Sequence, residues 1–205
     1  GPIHIGAPKV WEGEGQAAVN MGEGVLIGVV DTGINSDHPS FADIGGDGYD
    51  HTNPWGAGVY VGDCAGDFAS MCNDKLIGVR SYASVVDNYD DADVFGDTPP
   101  AKNGEDYNGH GSHTAGTSGG NILMDVPLLD QEVGKEEGDG INTTGFEFGQ
   151  ISGVAPHANI VAYQICSPGN SSQSASDTYS GCPGAAIIAA LEDAVADGVD
   201  VINYS

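Results

Sequence analysis

Four short apolar runs stand out along the chain, each bounded by glycine or polar residues. The first, residues 25–30 (VLIGVV), is apolar or glycine at every position and ends at Asp31. Strands that are buried on both faces of a parallel sheet show this pattern. The other predicted strands are residues 75–80, 160–165 and 199–205.

Two segments between these strands predict helices. Residues 185–196 have apolar side chains at helical spacing and stop at an Asp-Gly pair, which is typical of a helix end. Residues 109–117 (GHGSHTAGT) are mostly small, which suits a helix packed close to its neighbour. Strand, helix and strand in this order imply right-handed crossovers, so we predict a three-layer α/β/α fold with a mainly parallel sheet.

The chain is strongly acidic, and its charge excludes two classes of partner. It has 205 residues, with 30 Asp and Glu against 5 Lys and Arg, and a net charge of -25. Nucleic acids and anionic membranes are both bound through cationic side chains, so we expect neither as a partner. Much of the charge falls in residues 87–106 and 125–149, which we predict to be inserted acidic surface loops.

The four cysteines fall into two local pairs, Cys64 with Cys72 and Cys166 with Cys182. We favour two short-loop disulfides formed in an oxidising compartment, with free buried thiols as the alternative. The spacings do not match a structural zinc site. The protein is therefore expected to be secreted, although residues 1–11 lack the basic and apolar regions of a signal peptide.

Two residues hold positions suited to chemistry. Asp31 follows an apolar strand, and ligands of open parallel sheets bind at the carboxyl ends of strands. His110 has Gly109 and Gly111 on either side, which lets backbone and substrate approach its ring. Taken singly, Asp31 is also compatible with an ordinary turn, and His110 with a packed or surface histidine.

His113 lies one helical turn after His110 and raises the question of a metal. The pair reads HxxH and lacks the glutamate of the HExxH zinc proteases. We therefore predict no metal site.

Four blocks of sequence, in this order, resemble the subtilisin-like serine proteases, or subtilases. They are VVDTGI at 29–34, GHGSHTAGT at 109–117, GVAPHANIVAY at 153–163 and ADGVDVINYS at 196–205. The resemblance implies a serine endopeptidase that hydrolyses peptide bonds of proteins with a Ser-His-Asp triad. It assigns Asp31 as the triad carboxylate and His110 as the general base. Asp before His is the chain order of subtilisin.

A finer likeness is to the cucumisin-like plant subtilases, through CNDKLIGVRSY at 72–82. The same subgroup supports pairing of Cys166 with Cys182. The resemblance also implies that Ser180 and Gly181 belong to the extended backbone that pairs with substrate, the alternative being an ordinary loop. It places Ser205 along the primary specificity pocket.

The sequence departs from the family pattern in two places. Ser40 follows Pro39 where many bacterial subtilisins have an aspartate that binds calcium. The acidic loops offer oxygen ligands but no ligand motif, so we expect no required cofactor, with calcium left open. No serine lies in a GTSMA-like block, so the resemblance implies that the nucleophile and oxyanion asparagine lie beyond residue 205. The expected partner, besides a protein substrate, is the remainder of the catalytic domain, of which residues 1–205 form the N-terminal part.

Three alternatives compete with a serine protease. A subtilase-like chain without a nucleophile is an inactive binding or regulatory module, with Asp31 and His110 as relics of the fold. An aspartic protease using Asp31 requires a second Asp-Thr-Gly from a symmetric dimer, and it leaves GHGSHTAGT unexplained. A Rossmann-type nucleotide site fails because no GxGxxG follows the first strand.

Overall fold

A parallel five-stranded sheet forms the centre of the fold in the computed structural model, which describes residues 1–14, 18–90, 99–130, 142–168 and 180–205. The described strands are β1 (Leu26–Asp31), β2 (Val61–Gly62), β3 (Leu76–Ser81), β4 (Leu123–Asp130), β5 (Asn142–Ile151), β6 (Asn159–Gln164), β7 (Ser167–Pro168), β8 (Ser180–Gly181) and β9 (Val201–Tyr204). The described α-helices are α1 (Ala7–Trp11), α2 (Ala83–Val86), α3 (His110–Gly119) and α4 (Gly184–Asp197). Single turns of 3-10 helix lie at Pro39–Phe41, Asp63–Ala65, Ala69–Met71 and Asp87–Asp90. Among the described helices, none has the length and apolar character to cross a bilayer.

The order of the main sheet is β2-β3-β6-β1-β9, and every neighbouring pair is parallel. Helices cover both faces of β1, an interior strand of this sheet. Leu26 and Val30 belong to the core cluster that includes three buried alanines of α4, whereas Ile27 and Val29 pack in the cluster that contains Ala115 of α3. This double burial explains the unbroken apolar run and confirms the predicted α/β/α layers.

The alternation of side chains along β1 also sets the direction of Asp31. Successive residues of a strand face opposite sides of the sheet. Asp31 therefore shares the face of Ile27 and Val29, the one covered by α3. The helix that carries His110 and the carboxylate of Asp31 consequently meet on the same side of the sheet.

The four predicted main-sheet strands and the two predicted helices all form, with boundaries within two residues of those expected. The prediction of a loop over residues 125–149 is wrong at its described ends. There β4 and β5 form an antiparallel pair in which Val126 lies opposite Phe148. Alternating apolar residues, including Met124, Leu128 and Phe146, favour these strands, although the acidic composition obscures the pattern. Residues 131–141 of this insertion, and 91–98 of the other, lie outside the described residues.

Both predicted disulfides are present, Cys64–Cys72 and Cys166–Cys182. The second joins the segment after β6 to Cys182, which lies two residues before the start of α4. It fixes β8 beside β7, with Ser167 paired to Gly181. Because β7 follows the carboxyl end of β6, this small sheet lies at the edge of the main sheet where Asp31 ends β1.

Candidate active site

Asp31 and His110 form a close pair at the carboxyl edge of the sheet. His110 is the first residue of α3, and its Nδ1 lies 2.8 Å from Oδ1 of Asp31. The Asp31 side chain is 2% exposed, whereas that of His110 is 52% exposed. A buried acceptor thus holds one end of an imidazole whose other end is accessible.

The Asp31 carboxylate has donors at both oxygens. Oδ1 accepts hydrogen bonds from the backbone amide of Thr32 at 2.7 Å and from His110. Oδ2 accepts from the hydroxyl of Ser205 at 3.2 Å and lies 3.2 Å from that of Thr114, whose proton is shared with the carbonyl oxygen of Gly111 at 3.0 Å. A buried carboxylate with this many donors is well compensated for its loss of water and stays fixed in direction.

This geometry determines which nitrogen of His110 is available for chemistry. When Nδ1 carries the proton donated to Asp31, Nε2 presents a lone pair. The hydrogen bond to Asp31, followed by the charge of that carboxylate, raises the pKa of His110 above the ordinary value of 6.5. The ring is therefore an effective acceptor of a proton at Nε2 and a stable cation afterwards.

Two glycines allow close backbone approaches at the end of β1. A Cβ on Gly111 would lie 2.3 Å from the carbonyl oxygen of Gly33, so no larger residue fits beside His110. Gly33 has a φ of +122°, and a Cβ there would lie 2.6 Å from the carbonyl oxygen of Gly104. Glycine at position 111 lets α3 approach the end of β1, and glycine at position 33 lets the segment that precedes α3 approach it.

Side-chain oxygens also satisfy the exposed amides at the start of α3. These donor–acceptor pairs are His110 N with Asn108 Oδ1 at 3.3 Å, Gly111 N with Thr32 Oγ1 at 2.8 Å and Ser112 N with Asp106 Oδ2 at 2.8 Å. Helix-terminal amides require such partners, and their number here fixes the position of the first turn.

The predicted substrate-binding residues lie at the same edge, in two places. Ser205 follows β9 and donates its hydroxyl to Asp31, a contact that the sequence did not predict. Ser180 and Gly181 form β8, where Gly181 has a φ of +134° and is exposed. Their part in substrate binding stays a prediction.

Sequence reasoning missed two residues of the pair's surroundings. Thr114 lies one helical turn after His110 on α3, so the i, i+4 spacing was a usable signal for its contact with Asp31. Asp106 was included in an acidic surface loop, yet it is partly buried and contacts Thr32 and Ser112. Acidic residues just before a helix are a recognised cap signal.

His113 does not join the Asp31–His110 pair. It lines a separate cavity of about 340 Å³ together with His38, Asn35 and Asn121. Within the described ranges, no group of three His, Cys, Asp or Glu side chains is arranged to hold a metal ion.

Comparison with known proteins agrees with this geometry. The sequence model of the subtilase family matches residues 22–205. The chain is 34% identical to subtilisin-like protease SBT1.4 of Arabidopsis thaliana over 187 residues, covering 91% of this chain and 20% of that protein. It is also 34% identical to subtilisin-like protease SBT2.1 of the same plant, covering 100% of this chain and 21% of that protein. It is 33% identical to subtilisin-like protease Glyma18g48580 of Glycine max, covering 90% of this chain and 20% of that protein.

The chain thus spans about a fifth of the length of these curated relatives. They are all plant subtilisin-like proteases, which confirms the likeness to the plant subgroup. The match extends over nearly all of the chain, including the blocks that hold Asp31 and His110. The chain therefore belongs to the subtilase family.

Proposed function

We propose that this chain supplies the Asp and His of a serine endopeptidase whose nucleophilic serine and oxyanion residue come from outside residues 1–205. The observation that supports this is the 2.8 Å contact between buried Asp31 and half-exposed His110. Membership of a protease family gives the reaction class, and a protein or peptide is the corresponding substrate.

Each residue has a defined role in the proposed reaction. Nε2 of His110 removes the serine proton as the serine oxygen attacks the scissile carbonyl carbon, and Asp31 stabilises the resulting imidazolium. His110 then gives the proton to the leaving amine nitrogen as the C–N bond breaks, leaving an acyl-enzyme. Water attacks the ester with His110 again as base, and the proton finally returns to the serine.

We propose that the remainder of the catalytic domain covers the side of the sheet at β9. This strand pairs with β1 on one side, and Val201 is 55% and Tyr204 54% exposed. On α4, Ile188 is 62% and Val195 77% exposed. Exposed apolar side chains of this kind, on and near an edge strand, favour coverage by further protein.

We propose an extracellular location for the protease. Two disulfides in a chain of this size favour an oxidising compartment. The high negative charge suits a soluble secreted surface. Retention of the mature protein inside the cytosol, measured by cell fractionation, would contradict this location.

Substitution of His110 in the full-length protein tests the proposed function. We expect His110→Ala to lower kcat for casein by a factor of about 10⁴ or more, since loss of a triad member has effects of this size. His4→Ala, at an exposed histidine near the start of the chain, is the matched control and should keep wild-type activity. Casein hydrolysis that survives His110→Ala would exclude His110 as the base. A wild-type protein without hydrolysis would favour the inactive module, and inhibition by pepstatin would favour an aspartic protease.

A further inference from the structure

We infer that Asp106 is a positioning residue that holds His110 against Asp31 by orienting two hydroxyl groups between β1 and α3. This inference rests on the proposed protease function. Asp106 lies four residues before His110. Among the described side chains, it forms no hydrogen bond with the ring of His110 or with the carboxylate of Asp31.

The two oxygens of Asp106 each bind one hydroxyl. Thr32 donates its hydroxyl to Oδ1 at 2.9 Å, and Ser112 donates its hydroxyl to Oδ2 at 2.7 Å. A carboxylate accepts hydrogen bonds and cannot donate them, so it turns both hydroxyl protons toward itself. The lone pairs of both hydroxyls are thereby directed away from Asp106.

Each oriented hydroxyl then accepts a hydrogen bond from a backbone amide on the opposite side of the contact between β1 and α3. Thr32, at the end of β1, accepts from the amide of Gly111 in α3 at 2.8 Å. Ser112, in α3, accepts from the amide of Asn35 in the segment after β1 at 2.8 Å. These two hydrogen bonds between the β1 side and α3, called crossings below, have their donors on opposite elements. Both depend on the Asp106 carboxylate.

These crossings lie directly beside the proposed catalytic residues. Thr32 follows Asp31, and Gly111 follows His110, so the Thr32–Gly111 bond joins the immediate neighbours of the pair. Asp106 also accepts the amide of Gly109 at 2.9 Å, on the other side of His110. The backbone on both sides of His110 is thus fixed with respect to Asp31.

The charge of Asp106 has a second effect on His110. Burial alone would raise the pKa of Asp106, but hydrogen bonds, led by those from Ser112, hold it below its ordinary value of 3.8. The group is therefore ionised wherever a protease of this type works. Its negative charge adds to that of Asp31 in raising the pKa of His110.

Substitution of Asp106 by asparagine should disturb both effects. Asparagine keeps one acceptor oxygen and replaces the other with an NH₂ group, which donates to a hydroxyl and reverses its direction. We expect Asp106→Asn in the full-length protease to lower kcat about tenfold to a hundredfold, since small misplacements of catalytic groups have effects of this size. KM should stay unchanged, and the acid limb of kcat/KM should move to lower pH.

Two further variants make the test specific. Asp90→Asn removes a negative charge from an exposed carboxylate that pairs with Lys102, and it should leave kcat and the pH profile unchanged. Thr32→Val removes one crossing with little change in volume, and it should lower kcat in the same direction at unchanged KM. If the two substitutions act through the same contacts, kcat of the double variant Thr32→Val with Asp106→Asn should fall by less than the product of the two single fold-losses.

The outcomes separate the inference from the proposed function. Reduced kcat with a shifted acid limb and non-additive losses would support positioning by Asp106. An active wild-type enzyme whose Asp106→Asn and Thr32→Val variants keep wild-type kcat would overturn the inference and leave the protease function standing. A wild-type protein that neither cleaves casein nor reacts with a fluorophosphonate would overturn the proposed function and this inference with it. If Asp106→Asn does not fold, the kcat of Thr32→Val decides alone.

Discussion

The contact between α3 and β1 predicts a strong effect of one added methyl group at Gly111. An ideal Cβ on this residue lies 2.3 Å from the carbonyl oxygen and 2.9 Å from the amide nitrogen of Gly33, and 3.1 Å from the amide nitrogen of Thr32. All three are backbone atoms, which cannot rotate away as a side chain can. Gly111→Ala must therefore push the start of α3 away from β1.

The required displacement is comparable to the tolerance of the catalytic hydrogen bond. Restoring an ordinary separation of about 3.4 Å moves the helix start by about 1 Å, given normal contact distances. The His110–Asp31 contact of 2.8 Å would lengthen toward a distance at which a hydrogen bond is lost. We expect a loss of kcat of about a hundredfold, and overpacking should cost about 1–3 kcal/mol of the free energy of unfolding.

Gly116→Ala provides a matched control on the same helix. No heavy atom lies within 4 Å of an added Cβ at Gly116, so the same chemical change meets open space. Alanine is the better helix former, so the free energy of unfolding should stay level or rise by up to about 1 kcal/mol. Activity should remain at the wild-type level.

The assay is hydrolysis of casein by the full-length protein, with equilibrium unfolding in urea measured in parallel. Wild-type kcat in Gly111→Ala would refute the view that close packing of α3 sets the Asp31–His110 geometry. Equal losses in Gly111→Ala and Gly116→Ala would refute it as well, because only one of the two positions is crowded.

Three further predictions concern pH and cross-links. Because the hydrogen bond and charge of Asp31 raise the pKa of His110, and the base acts when neutral, kcat/KM should fall with decreasing pH around a midpoint above 6.5; a midpoint at or below 6.5 would contradict this. Burial, followed by the charge of a nearby lysine, lowers the pKa of His51 from 6.5 to about 4, while its Nε2 contacts an asparagine oxygen at 2.9 Å. As the pH falls, His51 therefore takes up a proton in the unfolded state before it does so in the folded state. The free energy of unfolding should fall between pH 6.5 and 4, by at most about 3 kcal/mol at about 1.4 kcal/mol per pKa unit. His51→Phe should weaken that dependence in urea unfolding measured at each pH, and an unchanged dependence would exclude His51 as its source. Replacing Cys166 and Cys182 by serine opens a cross-link with a sequence separation of 16, which should cost about 3 kcal/mol in the same assay.

The sequence predicted the parts of the fold that depend on local patterns. The apolar run before Asp31 identified an interior strand of the sheet, because burial on both faces leaves no polar position in it. The glycines around His110 pointed to a close approach, and the structure shows the contact that requires Gly111. Likeness to a family then joined Asp31 with His110, which are separated by 79 positions.

The contacts that local patterns do not encode were missed. Ser205 reaches Asp31 across 174 positions, and Asp106 reaches Thr32 across 74. Such pairs form only when the parallel sheet brings its carboxyl ends together, so they depend on the tertiary fold. Composition also misled, since acidic residues suggested a loop where alternating apolar side chains build β4 and β5.

Reaction of the full-length protein with a serine-directed fluorophosphonate tests the central claim most directly. The rate of labelling, with the labelled peptide identified by mass spectrometry, reports whether Asp31 and His110 activate a serine. We predict rapid labelling of one serine outside residues 1–205 in the wild-type protein, and loss of that labelling in His110→Ala. Labelling at an undiminished rate in His110→Ala, or at a serine within residues 1–205, would contradict the account.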